Sequence, residues 1–332
     1  LRSRDCLNAI SAALVVGASA NILYTLFKIA NYSELQGLCG PEGVLIVQPP
    51  LLALIPVNYI FILAGMTGLA SPYVKDLVRR GFSTVDLKRL FFGMVVSGGS
   101  VYSGGKKYCI RFYGKDLVLH TIFADLAYVL YNVRPGTTGV RGSYVTQLYS
   151  REAVRELREA SPEFETRRGG EPSLSFILEG GIDVKVEASR VLMSTGGWIS
   201  CSFVNTTCGV RAYPRLGIGS VLPSNTLLDC SKLMSEVGLR FSVYQDKRYD
   251  GRGYLATSDL MTLKRFGNQG GFLEGTAVKR GEFAGMEKNS LLAAAVRAAS
   301  RKFSSKEEAI EKIRELATDE ELKIYLNRLM LG

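Results

Sequence analysis

The chain has 332 residues, 47% of them hydrophobic and 22% charged, with 41 Lys and Arg against 31 Asp and Glu for a formal net charge of +10. That length holds two domains with cores of their own, and the scattered glycines, which follow no period of three, exclude a disordered or collagen-like chain. One histidine, His120, leaves almost no room for Ser-His-Asp catalysis or a multi-His metal centre, and six cysteines without a CxxC pair argue against zinc and against a disulfide scaffold.

The cysteines read as reduced, mostly buried thiols of a cytoplasmic protein. The positive excess suits an anionic partner, either nucleic acid or an acidic membrane surface.

In chain order, residues 1–75 come first and are strongly apolar. No charge occurs from Cys6 to Phe27, nor between Glu42 and Lys75, and both stretches exceed the roughly 18 apolar residues that flag a membrane-spanning helix. Arg2 and Arg4 before them and Lys75, Arg79 and Arg80 after them fit a hairpin with both ends in the cytoplasm. Asn8, Ser11, Ser19, Asn21 and Thr25 in the first stretch, and Pro49, Pro50 and Pro56 in the second, fit a packed alternative. That alternative is a helix over about 6–30 and then an apolar strand or turn region. Both readings stay open, and membrane contact through residues 1–75 stays open with them.

The next feature is an internal duplication. A helix is predicted after Ser83 and Thr84, carrying Leu87, Leu90, Phe91 and Met94 and ending at Ser97-Gly98-Gly99. A second, with Val186, Val191, Leu192 and Met193, ends at Thr195-Gly196-Gly197. Paired glycines at a helix end are expected to supply left-handed conformations that turn the chain into a strand.

After the first pair come strands at about 99–103 and 107–113, a helix at about 115–131, a strand at 144–149 and a helix opened by Ser150. After the second come strands near 198–204 and 212–218, a helix at about 225–238, strands at 240–244 and 253–257, and a helix opened by Ser258. The order αββαββα, twice, predicts an α+β protein with a pseudo-twofold axis. Two short amphipathic helices close the chain, one capped by Ser304 or Ser305 and one by the Thr318/Glu321 capping box.

The stretch Leu90-Phe91-Phe92-Gly93-Met94-Val95-Val96-Ser97-Gly98-Gly99, its weaker partner Arg190-Val191-Leu192-Met193-Ser194-Thr195-Gly196-Gly197, and Phe266-Gly267-Asn268-Gln269-Gly270-Gly271-Phe272 together resemble the two-repeat LAGLIDADG homing endonucleases and maturases. The resemblance covers residues 82–292. It implies two motif helices side by side at the pseudo-twofold axis and two antiparallel sheets forming a saddle over double-stranded DNA. It also implies an acidic residue near each motif end that reaches Mg²⁺. The organisation it suggests is an apolar region over 1–80, a first repeat over 81–165, a second over 166–292 and C-terminal helices over 293–332. A monomer containing an internal pseudo-dimer follows.

The metal-binding acidic positions of that family fall here on Gly98 and Gly196, and glycine has no carboxylate to offer a divalent ion. The expected function is therefore a cleavage-deficient nucleic-acid-binding protein, maturase-like or a DNA-binding regulator, with no cofactor, acting on double-stranded DNA or structured RNA. One alternative is an active endonuclease using Mg²⁺ through other acids, such as Asp183 or Glu187. Another is a membrane-tethered basic interaction module.

In a saddle, groove-facing side chains alternate along strands and gather at hairpin tips. Candidates for nucleic-acid contact are Lys106, Lys107, Arg111 and Arg141 in the first repeat, and Arg211, Arg215, Arg240, Lys247, Arg248 and Arg252 in the second. Lys279 and Arg280 follow, with Lys288 as a further phosphate contact. Tyr108, Tyr113, Tyr213, Gln147 and Gln245 are candidates for base or sugar contact, while Trp198 reads as core and His120 as structural or surface-exposed.

Overall fold

A computed structural model describes residues 69–318, apart from 105–106, 163, 165–171 and 248–251 and the side chains at 220 and 221. The readings for residues 1–68, for Lys106 and Arg248, and for the last predicted helix lie outside the described residues. Among the described residues, no helix is long and apolar enough to cross a membrane.

The chain divides into two units at Leu69/Ala70. Helix α1, Pro72–Arg79, belongs to the second unit because its start and its inner face are tied there. Ser71 caps it and Pro72 opens it, the Ser71 N–H donates to Asp125 Oδ2 at 2.6 Å, and Val74 and Leu77 are buried.

Two antiparallel four-stranded sheets form, each following one of the two predicted motif helices. In the first half, α2 (Thr84–Gly98) leads into β1 (Gly99–Gly104) and β2 (Lys107–Gly114). Helix α3 (Leu117–Tyr131), β3 (Gly136–Val140), β4 (Ser143–Tyr149) and α4 (Arg151–Ala160) complete it. The sheet order is β1-β2-β4-β3.

After the short α5 (Ser175–Leu178), the second half runs through α6 (Ile182–Gly196), β5 (Gly197–Thr206), β6 (Gly209–Pro223) and α7 (Ser224–Glu236). It ends with β7 (Ser242–Gln245), β8 (Arg252–Thr257) and α8 (Leu260–Asn268), in the matching sheet order β5-β6-β8-β7. Helices α9 (Lys288–Ala298) and α10 (Lys306–Thr318) pack on each other at the end. The duplicated αββαββα order is therefore the observed fold, and it is α+β.

The caps follow the local sequence with one exception. Ser83 and Asp86 form the capping box of α2, and Ser150 Oγ accepts from Ala153 N in α4. Helix α8 is capped by Asp259 rather than Ser258, because the carboxylate reaches both Met261 N and Thr262 N. Strand β3, with its Gly-Thr-Thr-Gly-Val sequence and fully exposed residues, has none of the apolar alternation by which a strand is recognised.

Each half builds its own core. Phe91, Phe112 and Phe123 meet in the first half, with Phe123 4.8 Å from Phe91 and stacked on Phe112 at 5.2 Å. Phe266 and Phe272 meet edge to face at 5.1 Å in the second. All five rings are essentially inaccessible, so each contributes about 1.5–3 kcal/mol by burial.

Candidate nucleic-acid interface

Helices α2 and α6 pack directly against each other and bury most of their length, α2 through Leu87, Leu90 and Phe91 to Val95, and α6 through Val184, Glu187, Ala188, Ser189 and Val191 to Ser194. Their ends meet. Ser97 Oγ and Thr195 Oγ1 are 2.6 Å apart and share a hydrogen bond, and Thr195 Oγ1 also donates to Val191 O at 2.9 Å.

The glycine pairs do this differently from expectation. None of the four lies in the left-handed region: Gly99 is extended at φ −119°, and Gly197 at φ −91°. What they supply is room. A Cβ at Gly99 would stand 2.8 Å from Arg111 O and Val95 O, and one at Gly197 2.4 Å from Met193 O. A side chain at either position would push the strand off its own helix.

The neighbouring Gly98 and Gly196 differ from each other. A Cβ at Gly98 meets Phe112 at 3.0 Å, whereas one at Gly196 finds its nearest neighbour, Ser97 O, at 3.8 Å. A cavity of about 220 Å³ adjoins this end, lined by Val96, Ser97, Leu192, Gly196, Ile218 and Cys230 among others.

Lys288 sits at the end of α6. It is 3% exposed, and its ammonium donates to Ser194 O at 3.1 Å and Gly197 O at 2.8 Å while lying 4.9 Å from the Phe272 ring centroid. A cation is favoured at the negative end of a helix, and carbonyls left without intrahelical partners need donors. Burial, with the charge of Lys279 adding to it and Asp116 opposing, lowers its pKa to about 8. Its sequence assignment as a phosphate contact is therefore corrected: the ammonium is committed to the motif helix.

Of the acids considered as substitutes, Glu187 is also committed. Glu187 is 2% exposed and accepts from Tyr73 Oη at 3.1 Å, from Arg190 Nη1 at 2.9 Å, and from Arg80 Nη1. Burial and then the Glu187 charge push the Tyr73 phenol well above its ordinary pKa. Arg190 also donates to the carbonyls of Gly270 and Gly271, which docks the glycine-rich closing segment on α6. Asp183 lies exposed in the first turn of the same helix. Among the described residues no group of three or more His, Cys, Asp or Glu could hold a metal ion.

Strand register decides which candidates share a face. In the first sheet Arg111 pairs with Ser100 and with Gln147, Tyr113 lies two residues on, and Lys107 begins the same strand. All three are exposed. The opposite parity carries Ile110, Phe112, Thr146 and Leu148 into the core, and takes Tyr108 and Tyr144 with it. Tyr108 lies under the Arg151 guanidinium at 5.5 Å, and Tyr144 lies against His120 at 5.7 Å. His120 itself is buried, and its Nδ1 is 2.7 Å from Thr146 Oγ1.

In the second sheet Arg211, Tyr213 and Arg215 follow one another on the outer parity of β6, across from Val204, Ser202 and Ser200. Arg252 begins β8 and Lys247 follows β7, both exposed, whereas Gln245 pairs with Gly253 on the face opposite Tyr244. Arg141 occupies the β3–β4 turn at φ 48°.

Three of the remaining cations stand apart. Arg240 lines a groove of about 690 Å³ with Asp259, Met261, Lys264 and Arg265 of the α8 region. Lys279 pairs with Asp116 Oδ2 at 3.4 Å, and Arg280 is exposed beside it.

The sequence reading of Trp198 as core misses its place on the outer face. The indole is half-buried over Gly217, where a Cβ would come within 2.3 Å of it, and its Nε1–H donates to Gly219 O at 3.2 Å. A tryptophan paired across strands with a glycine is the signal that could have revealed this.

No protein-family model matches the sequence, and no curated protein does. Among solved structures, the crystal structure of I-DmoI in complex with DNA and Mn is similar, with a TM-score of 0.40 and 16% identity over 55% of this chain and 96% of that one. The meganuclease I-SmaMI bound to uncleaveable DNA is similar with a TM-score of 0.44 and 11% identity, over 69% of this chain and 97% of that one. I-DmoI and I-SmaMI are named as a homing endonuclease and a meganuclease. At such identity the likeness is one of chain arrangement, and no residue role crosses with it.

Proposed function

We propose that this chain is a nucleic-acid-binding protein of LAGLIDADG type. In this reading it grips double-stranded DNA, or structured RNA, across its two sheets without hydrolysing it, as a maturase-like protein or a DNA-binding regulator does. The observation that carries the proposal is the joining of α2 and α6 at Ser97–Thr195, with a sheet leaving each helix end and arginines on the outer face of both. Cations on strand faces neutralise phosphates, and strands fit the major groove.

The proposed absence of hydrolysis rests on what stands at the helix ends. A divalent ion needs anionic oxygen ligands. Gly98 and Gly196 offer none, the hydroxyls of Ser97 and Thr195 bond to each other, and the Lys288 ammonium already occupies two carbonyls at the end of α6. These residues do not fit a shared Mg²⁺ site.

The test is binding to duplex DNA and to folded RNA over a series of salt concentrations, with a supercoiled-plasmid assay in Mg²⁺ and Mn²⁺ alongside. Salt-sensitive binding without nicking is expected. Metal-dependent cutting that survives further purification would overturn the cleavage-deficient reading, and no binding at low salt would overturn the whole.

A further inference from the structure

Arg215 is unusual among the arginines of the outer sheet faces. Its guanidinium carbon lies 5.1 Å from the ring centroid of Tyr244, 5.8 Å from that of Trp198 and 5.9 Å from that of Tyr254. The two tyrosines stack on each other, with centroids 5.2 Å apart and planes 12° from parallel. Rings from the three other strands of the sheet, β5, β7 and β8, thus converge on one cation of β6. Arg215 has no carboxylate and no hydrogen-bond acceptor among the described residues, although it is half-buried. A guanidinium presents five N–H donors in a fixed fork, and its flat faces stack on rings without using any of them.

The first sheet has no counterpart. Counting from the paired glycines, the Trp198/Gly217 cross-strand pair corresponds to Ser100/Arg111, and the Tyr244/Tyr254 pair to Thr138/Val145. Arg111 has Cys109 and Tyr113 to either side of it on its own strand, and Ser100 and Gln147 across from it.

We propose that Arg215 is a specificity residue that reads the O6/N7 edge of one guanine in the major groove of B-form DNA. The inference rests on the DNA-binding reading above and deepens it. Three features support a base rather than a phosphate. Arg215 lies on an inner strand of its sheet rather than at a tip. Three rings at 5.1, 5.8 and 5.9 Å restrict where the fork can point, which matters for bidentate contact with a base edge and little for neutralising a phosphate. Its donors are already held in place, so little side-chain entropy is lost on binding. The same geometry disfavours A-form RNA, whose deep, narrow major groove does not admit the sheet.

The experiment is selection from a randomised duplex DNA library with the wild-type chain, Arg215→Lys and Tyr244→Phe, together with titration of each protein against a fixed non-cognate duplex. Lysine keeps the charge and loses the fork, whereas phenylalanine keeps the ring. The wild type and Tyr244→Phe are expected to enrich one position as guanine. Arg215→Lys is expected to lose that enrichment by about tenfold or more, with non-cognate affinity within about twofold. Retention of the guanine by Arg215→Lys overturns the proposal. So does a uniform loss of affinity across sequences with a shallower salt slope, the mark of a phosphate contact. If the wild type binds DNA but enriches no sequence, this inference alone falls; if it binds no DNA, the functional reading falls with it.

Discussion

The two halves share an element order but not an electrostatic design. At the end of α2 the neighbours are apolar: Phe112, stacked on Phe123, closes over Gly98. Helix α6 carries an ionic assembly instead, with Glu187 held by Tyr73, Arg80 and Arg190 in its body and Lys288 on its terminal carbonyls. The outer faces differ likewise, hydroxyl-rich around Arg111 and aromatic around Arg215. Duplication conserves what backbone geometry requires, namely glycine where strand leaves helix. It leaves the chemistry of each half free to diverge.

The largest expected effect lies in the ionic assembly. Replacing Glu187 by Ala leaves Arg80 and Arg190 without their shared carboxylate, and should cost about 3–5 kcal/mol of stability in urea unfolding. Lys88, which pairs with Glu156 on the first half, is more exposed, so Glu156→Ala should cost about 1 kcal/mol or less. Equal losses at the two sites would erase the contrast between the halves.

Lys288 sharpens the contrast through pH. Its pKa in the folded chain is about 8, below the ordinary 10.5. Between those values the unfolded chain binds a proton that the folded chain does not, so stability rises with pH through that window. Below it the cost of burying the charge is felt in full. The stability of the wild type minus that of Lys288→Met should rise by about 2 kcal/mol from about pH 7 to about pH 10. A flat difference would mean that the amine does not titrate in that window.

Glycine replacement probes the two helix ends directly. Gly98→Ala drives a methyl against Phe112, which is 1% exposed and stacked, and should lower stability by about 1–3 kcal/mol. Gly196→Ala has ordinary contact distances and should change it by no more than about 0.5 kcal/mol. Thermal unfolding of both variants reads this, and the reverse order would show that the packing of the two ends is misassigned.

The smallest effects belong to single cations on the sheets. Lys107→Ala and Arg211→Ala should each reduce the salt slope of binding by about one unit, with stability unchanged. Arg240→Ala, in the groove beside α8, should leave the slope unaltered if the sheets alone make the contact.

Much of this was legible locally. Ser83 with Asp86 marks the start of α2, and the spacing of Leu87, Leu90, Phe91 and Met94 marks its buried side. The two glycine pairs mark where strands begin. Strand β3 was not legible, because Gly136–Val140 has no buried residue to impose a pattern, and it exists by pairing with β4. The candidate site was legible as a set of cations but not as a surface. Lys288 reads as one more exposed lysine, and nothing in its neighbours foretells that it lies under Phe272 on the end of a helix 91 residues earlier.

By itself, then, the sequence determined the duplicated order of elements apart from β3, most of the helix ends and the positive charge, all of which depend on residues close along the chain. The tertiary structure alone decided which cations are free and which are spent. Strand register, with its period of two, sends Tyr108 and Tyr144 inward while Arg111 and Tyr113 face out. The ion pairs of Glu187 and Lys279, and the rings around Arg215, join residues far apart in sequence. Burial and partner distance set the behaviour of a charge, and both are fixed only when those distant segments meet.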